Sequence, residues 1–339
     1  MTTTTSRIRP LERAGAPAIP GLQARFFNDD SDFASLAALY RAANATDEVP
    51  WLPTDEQVRL DFAAEEGNVP AEDVVFVQVG DDLVAATGVD RVLRDGVVTF
   101  ELWGAVDPGY RRRGLGDWLM GWSLERARVR ASREEPLAPV NLASFSEDSE
   151  TGHRALLAKH GFEAVRHFFL MRRDLAEPIP DAPLPEGLEV RRVTQDQWRT
   201  IFDAEDEAFR DHWGHREATD RAFEATFAKS QLDTDLWVVA WDGDQVAGVV
   251  QNWIWPEENE TLGVRRGWLE HVSVRRPWRR RGLGRAITKL SLERFRDVGM
   301  SDAMLGMDTQ NPNGALGLYG GLGFEVYSRA AAYRKPLDR

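Results

Sequence analysis

Apolar positions along this chain change their period in a fixed order, and the order occurs twice. Between 33 and 43 the residues Phe33, Leu36, Ala37, Leu39, Tyr40 and Ala43 recur three and four apart, the spacing of one helix face, with Ser31 or Asp32 placed to cap it. Alternation then predicts strands over 74–79, 83–88 and 97–106, separated by turns at Gly80, Asp81 and Asp82 and at Asp95 and Gly96. A helix bearing Leu119, Trp122, Leu124 and Ala127 follows, then a strand over 140–145, a short helix over 152–160 and a closing strand over 162–171. After the gap the series returns: a strand over 188–192, helices over 197–209 and 217–227, and strands over 236–241, 245–254 and 268–274. It ends with a helix reaching 296, a strand over 303–309, a helix over 314–320 and a strand over 324–333.

The gap between the two series, 176–187, holds four prolines, which block regular pairing and predict a semi-rigid spacer. Residues 1–23, rich in Thr, Pro, Ala and Gly, predict a loose tail. The expected organisation is therefore two α/β (α+β) domains, 24–175 and 188–339, created by internal duplication. A length of 339 residues agrees, since a domain takes roughly 150.

Composition narrows the function. A net charge of −13 argues against a nucleic-acid or anionic-membrane binder, both of which require a basic surface. The absence of cysteine excludes disulfides, thiolate metal sites and a Cys-acyl intermediate. No apolar run approaches the roughly 18 residues of a membrane span, and the Thr-rich start lacks the apolar core of a signal peptide, so a cytoplasmic location is expected.

The hexapeptide Arg-Arg-Arg-Gly-Leu-Gly occupies both 111–116 and 279–284, with Gly114 and Gly282 at 168 residues' separation (282 − 114). Glycines beside a helix N-terminus present unpaired backbone N–H groups to an anion, so each copy predicts a phosphate cradle. Late Gly-Phe pairs, Gly161 with Phe162 and Gly323 with Phe324, recur in the same relative order.

With these elements in place, each half resembles the GNAT acyl-CoA N-acyltransferase superfamily. Its Arg-x-x-Gly-x-Gly signature is matched at Arg111, Gly114 and Gly116 and at Arg279, Gly282 and Gly284. The resemblance implies two tandem domains, each a mixed, mostly antiparallel twisted sheet flanked by helices, with acetyl-CoA as cosubstrate and no metal. It implies that Val272, Ser273 and Val274 pair with the pantetheine arm and supply an oxyanion donor, while Arg279, Arg280, Arg281, Gly282, Leu283, Gly284 and Arg285 receive the CoA phosphates. The corresponding first-half set is Val106, Arg111, Arg112, Arg113, Gly114, Leu115 and Gly116. Asn311 and Asn313 are expected to cap the helix carrying Tyr319, one of them meeting pantetheine.

Amine attack on a thioester needs a proton acceptor for nitrogen and a donor for the leaving thiolate. The resemblance points to Glu270 as base and to Tyr319, four residues before Gly323, as acid. In some members the acid lies two residues before Glu270, where this chain has Trp268; residues two apart on a regular strand share a face. Asp211, His212 and Trp213, following a helix, are expected to recognise a cationic small-molecule amine, sugar-linked or aminoglycoside-like. In the first half Leu157 replaces the tyrosine, and Glu101 stands 13 residues before its glycine against 12 for Glu270. Without a bulge the two acids face opposite ways. The second half is thus expected to be catalytic and the first degenerate, in a monomer or homodimer. A peptide acetyltransferase and a CoA-binding sensor are the rival readings.

Overall fold

A computed structural model describes residues 9–12, 14–64, 68–94, 96–135, 138–215, 218–311 and 314–337. In chain order the first half contains β1 (Leu22–Phe26), α1 (Asp32–Asp47), α2 (Asp55–Ala64), α3 (Pro70–Asp73), β2 (Val74–Val79), β3 (Asp82–Arg94), β4 (Val97–Val106), α4 (Leu115–Glu134), β5 (Val140–Glu147), α5 (Thr151–Lys159) and β6 (Glu163–Asp174). The second contains β7 (Glu189–Arg191), α6 (Trp198–Phe209), α7 (Asp220–Phe227), β8 (Val238–Asp242), β9 (Gln245–Trp253), α8 (Pro256–Leu262), β10 (Arg266–Val274), α9 (Leu283–Asp297), β11 (Asp302–Asp308), α10 (Ala315–Gly320) and β12 (Glu325–Pro336).

The chain folds into two compact units, residues 1–165 with 331–339, and residues 166–330. This division differs from the boundary expected at 176–187, because the closing strand of each repeat is exchanged. In the first unit the strand order is β1-β2-β3-β4-β5-β12, with β4 and β5 parallel and the pairs from β1 to β4 antiparallel. In the second it is β7-β8-β9-β10-β11-β6, with β10 and β11 parallel and the other pairs antiparallel. Strand β6 thus pairs with β11, Asp174 opposite Asp302 through Phe168 opposite Asp308, although it closes the first repeat in sequence.

Two further expectations are corrected. The tail expected over 1–23 is not loose throughout: β1 begins at Leu22 and pairs with β2, and the Leu11 amide donates to the Ala24 carbonyl at 2.8 Å. The Pro-rich segment, expected as a semi-rigid spacer, is packed: Ile179 and Leu184 lie on the second core, and Arg173 donates to the carbonyls of Glu177 and Pro178 at 3.2 and 2.7 Å. Apolar residues between the prolines give that segment something to bury.

Each sheet carries helices on both faces. In the first unit α4 covers one face through Leu115, Leu119 and Trp122, and α1 the other through Phe33, Leu36 and Leu39. In the second, α9 covers one face through Leu283, Ile287 and Phe295, and α6 the other through Ile201 and Ala204.

Candidate active site

The two arginine-glycine motifs fold alike. Each runs from the end of a strand (β4 or β10) through a short 3-10 turn, 108–110 or 276–278, into the N-terminus of a long helix. Arg280 and Gly282 hold φ of 59° and 88°, and Arg112 and Gly114 hold 61° and 90°. The left-handed region costs glycine little and an arginine more, so the loop keeps the same local strain in both units. The first amide of α9 with a carbonyl partner is that of Ala286, bonded to the Gly282 carbonyl at 3.1 Å; in α4 it is that of Trp118, bonded to Gly114 at 3.1 Å. The amides of residues 280–285 and 112–117 therefore have no backbone acceptor among the described residues. Six successive unpaired N–H groups at the positive end of a helix form a cradle suited to a pyrophosphate.

The arginines divide into two kinds. Arg279 donates to the Val274 carbonyl at 2.9 Å, the Ala208 carbonyl at 2.9 Å and Asp211 at 2.7 Å, so its side chain is spent on the protein. Arg111 repeats this on Val106, Ala43 and Asp47. Their expected role as phosphate ligands is corrected: the first arginine of each motif ties the end of the strand to the end of α6 or α1. Arg280 and Arg281, like Arg112 and Arg113, are exposed, with the Arg113 guanidinium 5.2 Å from the Tyr110 ring. Arg285 donates to the Gly321 carbonyl at 3.1 Å. At its place the first unit has Asp117, which is bonded to Lys159 and His160 at 2.7 and 2.8 Å; these bonds hold its carboxyl below the usual range. That negative charge sits on the rim of the first cradle. A cavity of about 520 Å³ lies beside it, lined by Val106, Gly114, Leu115, Gly116 and Leu156.

Strands β10 and β11 pair only from Arg266 opposite Asp302 to Trp268 opposite Met304. Beyond Trp268 the two strands part, leaving the β11-facing backbone of Glu270 to Val274 open to an extended ligand such as pantetheine. The first unit parts likewise beyond Glu101 opposite Ala143. Val272 and Val274 pack toward α9 and Ser273 is buried.

The units differ on the strand itself. Pairing of β10 with β9 passes from Leu269 opposite Asn252 directly to His271 opposite Gln251, so Glu270 is a bulged residue. A bulge breaks alternation between Glu270 and His271, and the Trp255 indole that bonds Glu270 packs on the same α6-side cluster as Trp268. Leu269, Val272 and Val274 lie on the α9 side, whereas Trp268 lies with the α6-side cluster. Glu270 is exposed, and the Trp255 indole donates to its Oε1 at 3.3 Å. Strand β4 runs against β3 without a register shift, and Glu101 is ion-paired with Arg94.

Tyr319 sits at the end of α10, only 8% exposed, its ring 5.8 Å from that of Phe324. Burial raises its hydroxyl's pKa well above the ordinary value of 10, so the phenol stays protonated. The Phe324 amide donates to the Tyr319 carbonyl at 3.0 Å, as the Phe162 amide does to that of Leu157 at 3.0 Å; Leu157 and Tyr319 are structural equivalents. The residue capping α10 is Gly314, with φ of 72°, and not an asparagine. Asn311 forms the turn before it, donating its amide to the Asp308 carbonyl at 3.1 Å, and Asn313 lies outside the described residues.

The proposed acceptor triplet is partly committed elsewhere. Asp211 is chelated by Arg276 and Arg279, whose hydrogen bonds hold its carboxyl far below the usual range, so it is no free carboxylate for an amine. The Trp213 ring lies 5.6 Å from the Arg166 guanidinium. His212 stacks edge-on to Phe209 at 4.4 Å, and burial together with the Arg279 charge pushes its pKa below 6.5. Missed from the sequence is a pair behind the bulge: His271 Nδ1 lies 2.9 Å from Oε1 of Glu205 on α6, and Gln251 of β9 donates to the other Glu205 oxygen. The acid was visible on its helix, but its partner 66 residues away (271 − 205) carries no local signal.

A sheet that parts beside an amide cradle, built twice, defines an acyltransferase fold. Residues 36–144 and 198–324 match the acetyltransferase (GNAT) family, well over half of the chain, and the protein belongs to that family; it is an acyltransferase. It is similar to the mycothiol acetyltransferase of Geodermatophilus obscurus, 28% identical over 313 residues that span 91% of this chain and 95% of that one. A GCN5-related N-acetyltransferase from Sphaerobacter thermophilus superposes with a TM-score of 0.68 at 26% identity, covering 95% of this chain and 97% of its own. A tandem GNAT protein from the clavulanic acid biosynthesis pathway, 18% identical with a TM-score of 0.62, shares the fold over 94% of this chain and 99% of its own. Among the described residues no group of three His, Asp or Glu is placed to hold a metal ion, and no helix is long and apolar enough to cross a membrane.

Proposed function

We propose that the second unit transfers an acetyl group from acetyl-CoA to a primary amine of a small molecule, by direct attack within a ternary complex. The observation that carries this reading is the asymmetry of two otherwise matching sites. Both have the cradle and the parted strands, but only the second has a buried phenol at the α10 position and a carboxylate on a strand bulge. The first has Leu157, an ion-paired Glu101 and an acid on its cradle rim.

In this scheme the amides of 280–285 hold the pyrophosphate, and exposed Arg280 and Arg281 meet the remaining phosphate. An amide of the open β10 edge stabilises the developing oxyanion. Glu270 takes a proton from the attacking nitrogen, and Tyr319 gives its own to the departing sulfur. A small acceptor agrees with the names of the similar proteins, and the net charge of −13 favours a cation.

The test is release of free CoA thiol from acetyl-CoA across a panel of amines and N-terminal peptides, with Glu270→Gln and Tyr319→Phe alongside. The expected result is turnover with at least one small amine, and a fall of roughly 10²-fold in kcat in each variant. Acetyl-CoA binding without turnover on any amine would replace this reading with a binding role. Preference for peptides would move the acceptor class.

A further inference from the structure

Strand β10 spends a bulge at Glu270, and the bulge decides where the next side chain goes. On a regular strand His271 would follow Leu269 onto the α9 side, into the main core. With Glu270 inserted, His271 is carried to the opposite face and meets Glu205 of α6 at 2.9 Å, edge-on to the Phe209 ring at 5.5 Å. Glu205 is 5% exposed, and the His271 side chain is 54% exposed. A carboxylate is costly to bury unless it is paired, and this one is devoted to an imidazole that opens outward. In the neutral ring, the tautomer protonated at Nδ1, the nitrogen facing that carboxylate, presents Nε2 as acceptor beside the bulged Glu270.

The proposed reaction needs such a group. An amine arrives as R–NH3⁺ and leaves as R–NH–acetyl, so nitrogen sheds two protons, one before attack and one as the C–N bond forms. The thioester C–S bond breaks, the sulfur takes one proton from Tyr319, and the net change is R–NH3⁺ plus acetyl-CoA giving amide, CoA thiol and one proton. Glu270 alone would have to accept both in turn. Resting on the acetyltransferase reading above, we propose that His271, oriented by the positioning residue Glu205, is a second proton acceptor: Nε2 takes the proton that converts the ammonium to the nucleophile and passes it to solvent.

The charged groups that act on the ring are Glu205 from α6, Glu270 from its own strand and Lys229 just beyond α7. Desolvation disfavours the imidazolium, but the charge and hydrogen bond of Glu205, with the charge of Glu270, together raise the pKa above 6.5, and Lys229 opposes them. A base must be neutral to act, so activity is expected to climb with pH through that raised value.

The experiment is the pH profile of kcat/KM for acetyl transfer to the best amine of the panel, in the intact protein, with calorimetric acetyl-CoA binding as a fold control. His271→Ala is expected to lose roughly 10²-fold near neutrality and to regain rate as imidazole is added. Glu205→Gln removes the carboxylate that raises the histidine pKa, so its ascending limb should move to lower pH by about one pH unit, with a lower plateau. A structural ion pair would lower the plateau without moving the limb. Wild-type turnover with an unmoved limb in Glu205→Gln and no imidazole rescue overturns the role of His271 alone. No wild-type turnover on any amine overturns it together with the reading on which it rests.

Discussion

Arg279 and its neighbours show how little a run of identical side chains says about what each one does. Three consecutive arginines read as one basic patch, yet Arg279 is bound to two carbonyls and Asp211 while Arg280 and Arg281 face solvent. Arg279→Ala is therefore expected to act through stability: it strips three acceptors and should cost about 1–3 kcal/mol, read as a lowered urea midpoint. Arg280→Ala and Arg281→Ala should leave the midpoint nearly unchanged and weaken acetyl-CoA binding, each reducing its salt dependence, as titration at two ionic strengths would show. Tyr319 was legible because its four-residue spacing to Gly323 is local. The commitment of Asp211 is not legible, because its carboxylate meets Arg276 and Arg279 from 65 and 68 positions further along the chain (276 − 211 and 279 − 211). Residue type was readable, commitment was not.

At the scale of elements, periodicity served wherever an element is long and one-sided. The strand expected over 97–106 and the helix over 314–320 are found at Val97–Val106 and Ala315–Gly320. Helices α2 and α8 went unseen, the latter a short acidic stretch with glutamates at 257, 258 and 260 whose helicity depends on what it packs against. The bulge in β10 also escaped, since an inserted residue leaves the apolar pattern only slightly irregular. Close approach between elements can be tested at Gly267. A Cβ there would lie 2.4 Å from the Phe295 ring of α9, so this helix, whose first turn is the cradle, packs directly on the strand. Gly267→Ala is expected to cost about 1–3 kcal/mol through overpacking and to weaken acetyl-CoA binding as α9 shifts. Denaturation and calorimetry would report the two effects separately, and unchanged values in both would mean that α9 adjusts freely.

For the whole molecule, the duplication was legible and its folding consequence was not. Two series of the same elements suggested two domains divided at the prolines, because nothing in a repeat tells a closing strand which copy it closes. In the structure β6 pairs with β11, and Arg166 and Arg172 bond Asp308 and Asp302 at 2.6 and 2.9 Å. A fragment of residues 188–339 lacks that strand and is expected to show no cooperative unfolding transition. A fragment of residues 166–330 retains it and should melt cooperatively. Circular dichroism against temperature distinguishes them, and a cooperative melt of 188–339 would refute the exchange.

Synthesis on the ribosome proceeds from one end, and the exchanged strands give that direction a consequence. The unit proposed to be catalytic is one unbroken stretch, 166–330, whereas the other waits for 331–339, which are made only after that stretch. The half translated first is thus the half completed last. While the second unit is being made, the amino-terminal unit has an open edge at β5, awaiting a strand, β12, that is synthesised only afterwards.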